Sequence, residues 1–151
     1  MEVHSNSKYT ILIIDDVPEN IQVVSSILYQ KGVNIAIAQS GGEALKIISR
    51  KSPDLILLDI IMPEMDGFAV CEHLQHDPTT KEIPIIFLTA KSQPDDIVKG
   101  FNLGAVDYVT KPFNPAELLS RVFTHLELKK SRDLITAQNQ QLIKQNQALH
   151  E

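Results

Sequence analysis

Alternation limits this chain more than any other feature. Five short apolar runs are separated by stretches with helical spacing. The runs are Ile11 to Ile14, Ile35 to Ala38, Leu55 to Leu58, Ile83 to Leu88 and Val106 to Val109. Each is rich in Ile, Leu or Val and is bounded by turn residues, which suits a strand buried on both faces. Between them, Ile21, Val24, Ile27 and Leu28 form one apolar stripe, and Ala44, Leu45, Ile47 and Ile48 form another. Strands and helices that alternate with short connections imply a parallel sheet covered by helices on both sides. The expected fold is a doubly wound α/β domain, (βα)5, over residues 9–127.

The helix boundaries are also written in the chain. Pro18 suits a first helical position, and Gly32 after Lys31 suits a stop. Ser40 and Glu43 have capping-box spacing. Ser92, Pro94 and Asp95 carry a similar start and Gly104 a stop, while Asn114, Pro115 and Glu117 open the last helix. "MPEMDG" at 62–67 reads as a turn in which Gly67 supplies a special backbone angle.

After Leu126 the composition shifts to Gln, Asn and charge. Leu128, Ile135, Leu142 and Leu149 recur by sevens. With these at heptad position d, Arg132, Asn139 and Asn146 fall at position a. That is a thin coiled-coil seam, and a buried Asn at a specifies pairing at some cost in stability. Residues 128–151 are therefore expected to form a helical coiled-coil linker that makes the chain a homodimer. An unbroken helix from Pro115 to Glu151 is about 55 Å long. It carries no stop signal, so a longer natural chain is expected to continue past Glu151. Residues 1–8 are polar, too short for a signal peptide, and expected to be a disordered tail.

Composition removes several function classes. A net charge of −5 provides no basic surface for direct contact with nucleic acid. No apolar run approaches the roughly 20 residues of a membrane span. Cys71 is the only cysteine, so no disulfide framework or paired-cysteine metal site exists, which suits the cytoplasm. Cys71 itself lies in a helical pattern and is expected to pack in the core. His73 and His76 lack a third ligand and are expected at a solvated helix end. Met62, Met65 and Phe68 read as packing residues.

In an open parallel α/β sheet, ligands bind outside the carboxyl ends of the strands, near the switch in strand order. The first run ends there in Asp15 and Asp16, the third in Asp59, the fourth in Thr89 and the fifth in Lys111. Three carboxylates against one ammonium leave two negative charges, which one divalent cation would neutralise. An all-oxygen site without His or Cys suits a hard ion, above all Mg2+, which binds one or two carboxylates plus phosphate oxygens. One carboxylate then remains for chemistry. Taken singly, each of these residues is commonly a cap, a strand residue or a loop lysine. Their coincidence on the one face where this fold builds sites favours function.

"IIDD" at 13–16, "LLDIIMPEMDGF" at 57–68, "FLTA" at 87–90 and "YVTKPF" at 108–113 closely resemble the receiver domain of two-component response regulators. The resemblance runs from residue 9 to about 127 and includes the element order. It implies a flavodoxin-like strand order of 2-1-3-4-5. It implies that Asp59 is the phosphoacceptor, charged by a histidine kinase or phosphotransfer protein. By the same resemblance, Asp16 is a direct Mg2+ ligand and Asp15 acts mainly through water. Asp59 and the backbone carbonyl of Ile61 are also implied in the metal site. Thr89 and Lys111 look like the groups that contact phosphoryl oxygens, and Tyr108 like the aromatic switch that follows Thr89. The Lys111–Pro112 bond is implied to be cis. Ile61 and Lys91 match positions that flank the pocket and tune hydrolysis of the phosphate. Such a domain is a signalling switch, not an enzyme acting on other substrates, although it assists its own phosphoryl transfer and autodephosphorylation.

Two other functions compete. A degenerate receiver would act only in docking or dimerisation, but such proteins usually lose an acidic residue or the lysine, and all are present here. An Asp-nucleophile phosphohydrolase would carry D-x-D, and Asp59-Ile60-Ile61 lacks the second Asp. No helix-turn-helix, cyclase or kinase motif precedes Glu151. The tail resembles the helices that join receivers to output modules.

Overall fold

The computed structural model describes residues 9–90 and 94–149. The expectations placed on residues 1–8, on Lys91, Ser92 and Glu151, and on the side chain of Leu149, fall outside the described residues. Five strands alternate with five helices in chain order. They are β1 (Thr10–Ile14), α1 (Pro18–Tyr29), β2 (Asn34–Ala38), α2 (Gly41–Arg50), β3 (Leu55–Asp59), α3 (Gly67–Gln75), β4 (Ile85–Ala90), α4 (Pro94–Asn102), β5 (Asp107–Lys111) and α5 (Pro115–Leu149).

All strand pairs are parallel, in the order β2-β1-β3-β4-β5. The chain thus moves from β2 back past β1 to β3, and the strand order reverses beside β1. Side chains alternate across the sheet and split the core in two. Leu12, Ile14, Ile56, Leu58, Ile85 and Phe87 face a cluster that includes Ala44, Ile48, Val70 and Leu74 of α2 and α3. Ile11, Ile13, Leu55, Leu57, Ile86, Leu88 and Val109 face Val24 and Leu28 of α1 and Leu118, Val122 and Leu126 of α5. Burial on both faces explains the unbroken apolar runs of β1 and β3. Each fully buried Leu or Ile contributes about 1.5–3 kcal/mol.

The outer strands differ from expectation. β2 is largely half-exposed, and only Val109 of β5 is buried, because each has a neighbour on one side alone. β4 begins at Ile85, not Ile83. Pro84 has no N–H to give a ladder, although its carbonyl accepts from Ile56. β5 begins at Asp107 and runs on to Lys111, so the polar residue is still held within the sheet.

Local signals explain the helix starts. Ser40 Oγ accepts from the Glu43 amide at 3.1 Å. The Glu43 carboxylate accepts from the amide of Gln39, one residue before the cap, at 2.7 Å. Asp66 caps α3 through the Ala69 amide, and Asn114 accepts from the Glu117 amide. Gly32 and Gly104 both have positive φ at their helix ends. The turn before α3 departs from expectation. The positive φ belongs to Glu64, at 68°, and Gly67 is required for space instead. A Cβ on Gly67 would lie 2.3 Å from the Asp59 carbonyl oxygen.

Helix α5 has two parts. Leu118, Val122 and Leu126 are buried at four-residue spacing. Beyond Leu126 no described residue is buried, and Leu128, Ile135 and Leu142 are each more than half exposed. Two polar ties hold the start of the extension to the domain: the Tyr9 hydroxyl donates to Glu127, and Arg132 reaches Glu82. Cys71 is buried, and His73 and His76 are exposed near the end of α3.

Candidate functional site

The carboxyl ends of β1, β3, β4 and β5 surround an open cavity of about 280 Å3. Its lining includes Asp16, Asp59, Ile61, Thr89, Asp96 and Lys111. A larger cleft of about 420 Å3 lies between α2 and α3, near the opposite ends of the strands. Its cationic Arg50 and Lys51 sit where helix α2 ends, which the helix dipole accounts for.

Asp15 follows β1 directly, and its amide donates to the Ala38 carbonyl, so the backbone is still held by β2. Its side chain is fully buried. Oδ1 accepts from the Val17 amide at 2.9 Å, which closes the turn into α1. Among the described residues Oδ2 has no hydrogen-bond partner, and Lys111 Nζ stands 3.6 Å away. That separation is an ion pair, not a hydrogen bond. A buried carboxylate oxygen left in this state is costly, and a cation would satisfy it. Asp16 is half-buried beside it.

Asp59 is the last residue of β3 and is 5% exposed. Lys111, the last residue of β5, donates to Asp59 Oδ1 at 3.0 Å. Asp15, Asp16 and Asp59 each offer an oxygen within 4.8 Å of the others. This donor set fits a hard divalent ion such as Mg2+. Burial pushes the Asp59 carboxyl up to about 6, and Asp15 and Asp16 push the same way, while the hydrogen bond and charge of Lys111 pull it down.

Thr89 is 3% exposed, and its hydroxyl donates to the Ala90 carbonyl at 3.2 Å. Leu88 pairs with Asp59 across the sheet, so Thr89 lies one step further toward the mouth of the cavity. Tyr108 is half-buried, with its ring edge-on to Phe101 of α4 and the Arg121 guanidinium 5.7 Å from its centre. The ring therefore spans α4 and α5 and sits apart from the carboxylates. The Ile61 side chain is 73% exposed at the rim. The Lys111–Pro112 bond is cis.

The residues singled out in the sequence therefore fall in two places. Asp15, Asp16, Asp59 and Lys111 meet directly, with Thr89 and Ile61 on the cavity wall. Tyr108 belongs to the outer surface of β5. Sequence reasoning missed Asp96, which α4 brings to the cavity wall. An acidic first turn is what any helix favours, so Asp96 gave no separate signal. It also missed the pair formed by Asp107 with Arg121 and His125, at 2.7 and 3.0 Å, because the partners are far apart in the chain.

The chain is 49% identical over 142 residues to a Vibrio cholerae protein named a probable cyclic di-GMP phosphodiesterase, covering 94% of this chain and 32% of that one. It is 40% identical over 112 residues to the response regulator PleD of Caulobacter vibrioides, covering 74% and 25%. It thus spans between a quarter and a third of the length of these two relatives. It is 44% identical to RpaA of Synechocystis, named a DNA-binding master transcriptional regulator, covering 74% and 46%. Among solved structures, the receiver domain of a histidine kinase from Syntrophus aciditrophicus superposes with a TM-score of 0.73 at 39% identity, covering 79% of this chain and 90% of that one. The chemotaxis protein CheY4 of Vibrio cholerae gives 0.74 at 31%, covering 78% and 98%. The family model described as the response regulator receiver domain matches residues 11–123. That span holds all five strands but for Thr10, and every carboxylate, hydroxyl and ammonium of the cavity; on sequence, fold and length of match, this chain belongs to the response regulator receiver domains of two-component systems.

Proposed function

We propose that Asp59 accepts a phosphoryl group from the phosphohistidine of a histidine kinase or phosphotransfer protein, and that the acidic cluster binds Mg2+ for this step. The observation that carries the reading is the meeting of Asp59 with Lys111 at 3.0 Å, beside a fully buried Asp15 whose Oδ2 has no hydrogen-bond partner among the described residues. Phosphoryl transfer requires positioning and charge neutralisation more than covalent catalysis. Asp59 supplies the attacking oxygen, the new bond is O–P, and the P–N bond to the donor imidazole breaks. Lys111 neutralises phosphoryl oxygens as its partner carboxylate becomes an acyl phosphate. Mg2+ would be held by Asp16, Asp59 and the Ile61 carbonyl, with Asp15 acting mainly through water, and would supply the remaining positive charge.

The product places added negative charge and new acceptors at the cavity mouth. The Thr89 hydroxyl is then drawn from the Ala90 carbonyl toward a phosphoryl oxygen. Tyr108 moves with that loop, and the surface of α4, β5 and α5 changes. The signal passes to a partner or to an attached output module. Close identity to a protein named for cyclic di-GMP hydrolysis supports an output of that class. Nucleic-acid contact, which RpaA has by name, would in this reading belong to an output module and not to residues 9–127. The exposed seam of α5 would join two copies as a homodimer. No helix among the described residues is long and apolar enough to cross a membrane.

The test is to incubate the full chain with Mg2+ and a small-molecule phosphodonor, then locate the adduct by mass spectrometry. The expected product is one acyl phosphate on Asp59, absent without Mg2+ and absent from Asp59→Asn. Equal labelling of Asp59→Asn would sink the assignment, and sustained turnover of phosphomonoesters would replace it with a hydrolase.

A further inference from the structure

We infer that the α5 extension pairs with the same segment of a second copy as a parallel, in-register two-stranded coil that begins at Ile135, and that Glu82 holds Arg132 out of its seam. This rests on the reading of the tail as a dimer interface and adds its direction, its starting point and the residue that sets that point.

Direction follows from two amides. Ile135 and Leu142 are more than half exposed and seven residues apart, and Asn139 and Asn146 occupy the other seam position. In a parallel coil, position a faces position a, so Asn139 meets Asn139 and Asn146 meets Asn146 across the axis. Each amide both donates and accepts, so each pair satisfies itself. In an antiparallel coil, a faces d, and both amides would be buried against Ile or Leu without a partner. A foreign helix would need matching amides at the same spacing, which a second copy has by symmetry. The flanking Thr136, Gln138, Ile143 and Gln145 carry no charge, so they favour neither orientation and leave the choice to the asparagines.

The starting point follows from Arg132. It occupies the preceding a position, where parallel pairing would bring two guanidinium groups together. The structure turns it aside. Its Nη2 donates to the Glu82 carbonyl at 3.1 Å, and its Nε lies 3.7 Å from Glu82 Oε1. Glu82 precedes β4, so the arginine lies back on the receiver and the first seam layer free of charge is Ile135. Both side chains are about half exposed, at 52% and 62%, so the tie contributes little to folding. Its effect is to place a charge. Lys129 and Asp133 pair at 2.8 Å on the same turns and leave the seam clear.

The test uses the full chain. Cys71 is its only cysteine and is buried, so one added cysteine reports alone. Asn139→Cys and Asn146→Cys, oxidised separately with diamide, are both expected to give disulfide-linked dimers. In an antiparallel pair a helix meets its own copy at a single level, so cross-linking of one variant and not the other overturns the parallel register. Sedimentation of the unmodified chain tests the underlying dimer reading separately: monomer at every concentration removes both. Arg132→Leu is expected to tighten the dimer roughly tenfold by adding an apolar seam layer. Glu82→Ala keeps the backbone carbonyl that accepts from Arg132 and removes only the 3.7 Å ion pair, so it is expected to loosen the parent dimer roughly twofold and to have no effect in the Arg132→Leu background. An unchanged dimer in Arg132→Leu, or an equal effect of Glu82→Ala in both backgrounds, overturns the role given to Glu82.

Discussion

Lys111 Nζ lies 3.0 Å from Asp59 Oδ1 and only 3.6 Å from Asp15 Oδ2, so one ammonium answers two of three clustered carboxylates. It is in direct contact with Asp59 and competes electrostatically with any metal there. Removing it should therefore split two properties that usually fall together. Lys111→Met is expected to bind Mg2+ several-fold more tightly, because the cluster gains net negative charge. Its labelling by a small phosphodonor should slow by on the order of 10²–10³, because a positioned cation is lost from the transition state. Mg2+ titration and a labelling time course check the two directions. Weaker Mg2+ binding would mean that Lys111 organises the cluster and does not merely offset it.

The raised carboxyl of Asp59 makes a second prediction, with a definite sign. Its folded value, about 6, lies above the ordinary value of 3.8. Between those values the folded state holds a proton that the unfolded state has released. Asp59 therefore costs stability above pH 6, and that cost is removed as pH falls from 6 toward 3.8. Asp59→Asn, without metal, should be more stable than the parent at pH 7.5 by roughly 1–2 kcal/mol, allowing for partial solvent screening. The advantage should shrink toward pH 4. Thermal unfolding at several pH values measures it, and a constant difference across that range would contradict the burial argument.

What could be read from the chain, and what could not, follows from distance. β1 and β3 are legible because both of their faces are buried, so Ile11 to Ile14 and Leu55 to Leu58 cannot be mistaken for amphipathic segments. Ser40 and Asn114 are legible because a cap acts over three residues. The grouping of Asp15, Asp16, Asp59 and Lys111 could be proposed only because the parallel fold delivers strand ends to one face. Asp107 and Arg121 interact over 14 positions with no repeating pattern to mark them. Gly67 was noticed for the wrong reason. A sequence shows that a glycine stands in a turn, but not that the carbonyl of Asp59 occupies the space its side chain would take.

That contact makes Gly67 a gauge of the loop that carries Asp59. The Gly67 amide donates to the Ile60 carbonyl at 2.8 Å, while an added Cβ would stand 2.3 Å from the Asp59 carbonyl oxygen. Backbone atoms on both sides cannot yield as a flexible side chain would. Gly67→Ala should lose about 1–3 kcal/mol of stability as an overpacking change. It should also slow labelling of Asp59 at temperatures where the protein remains folded, because the carboxylate shifts relative to Lys111. Denaturant unfolding and labelling at 10 °C separate the two effects. Full stability in Gly67→Ala would show that the α3 start can move without the β3 end.

Asp107, at the opposite end of β5 from Lys111, offers the opposite pH behaviour from Asp59. Burial works against its charge, but the Tyr108 amide, His125 and Arg121 all donate to it and hold its carboxyl below the ordinary value. Its stabilisation is therefore fully present above about pH 4 and is lost as pH falls through the lowered folded value. Because Arg121 also lies over the Tyr108 ring, the pair fixes the outer position of that tyrosine as well as the packing of α5 on β5. Asp107→Asn should cost about 1–2 kcal/mol at pH 7, typical of hydrogen bonds to a charged group, and the difference should narrow below pH 4. It should also free the Tyr108 ring, seen as altered ring resonances in NMR before any phosphodonor is added. Unchanged resonances with lowered stability would confine Asp107 to holding α5 against β5.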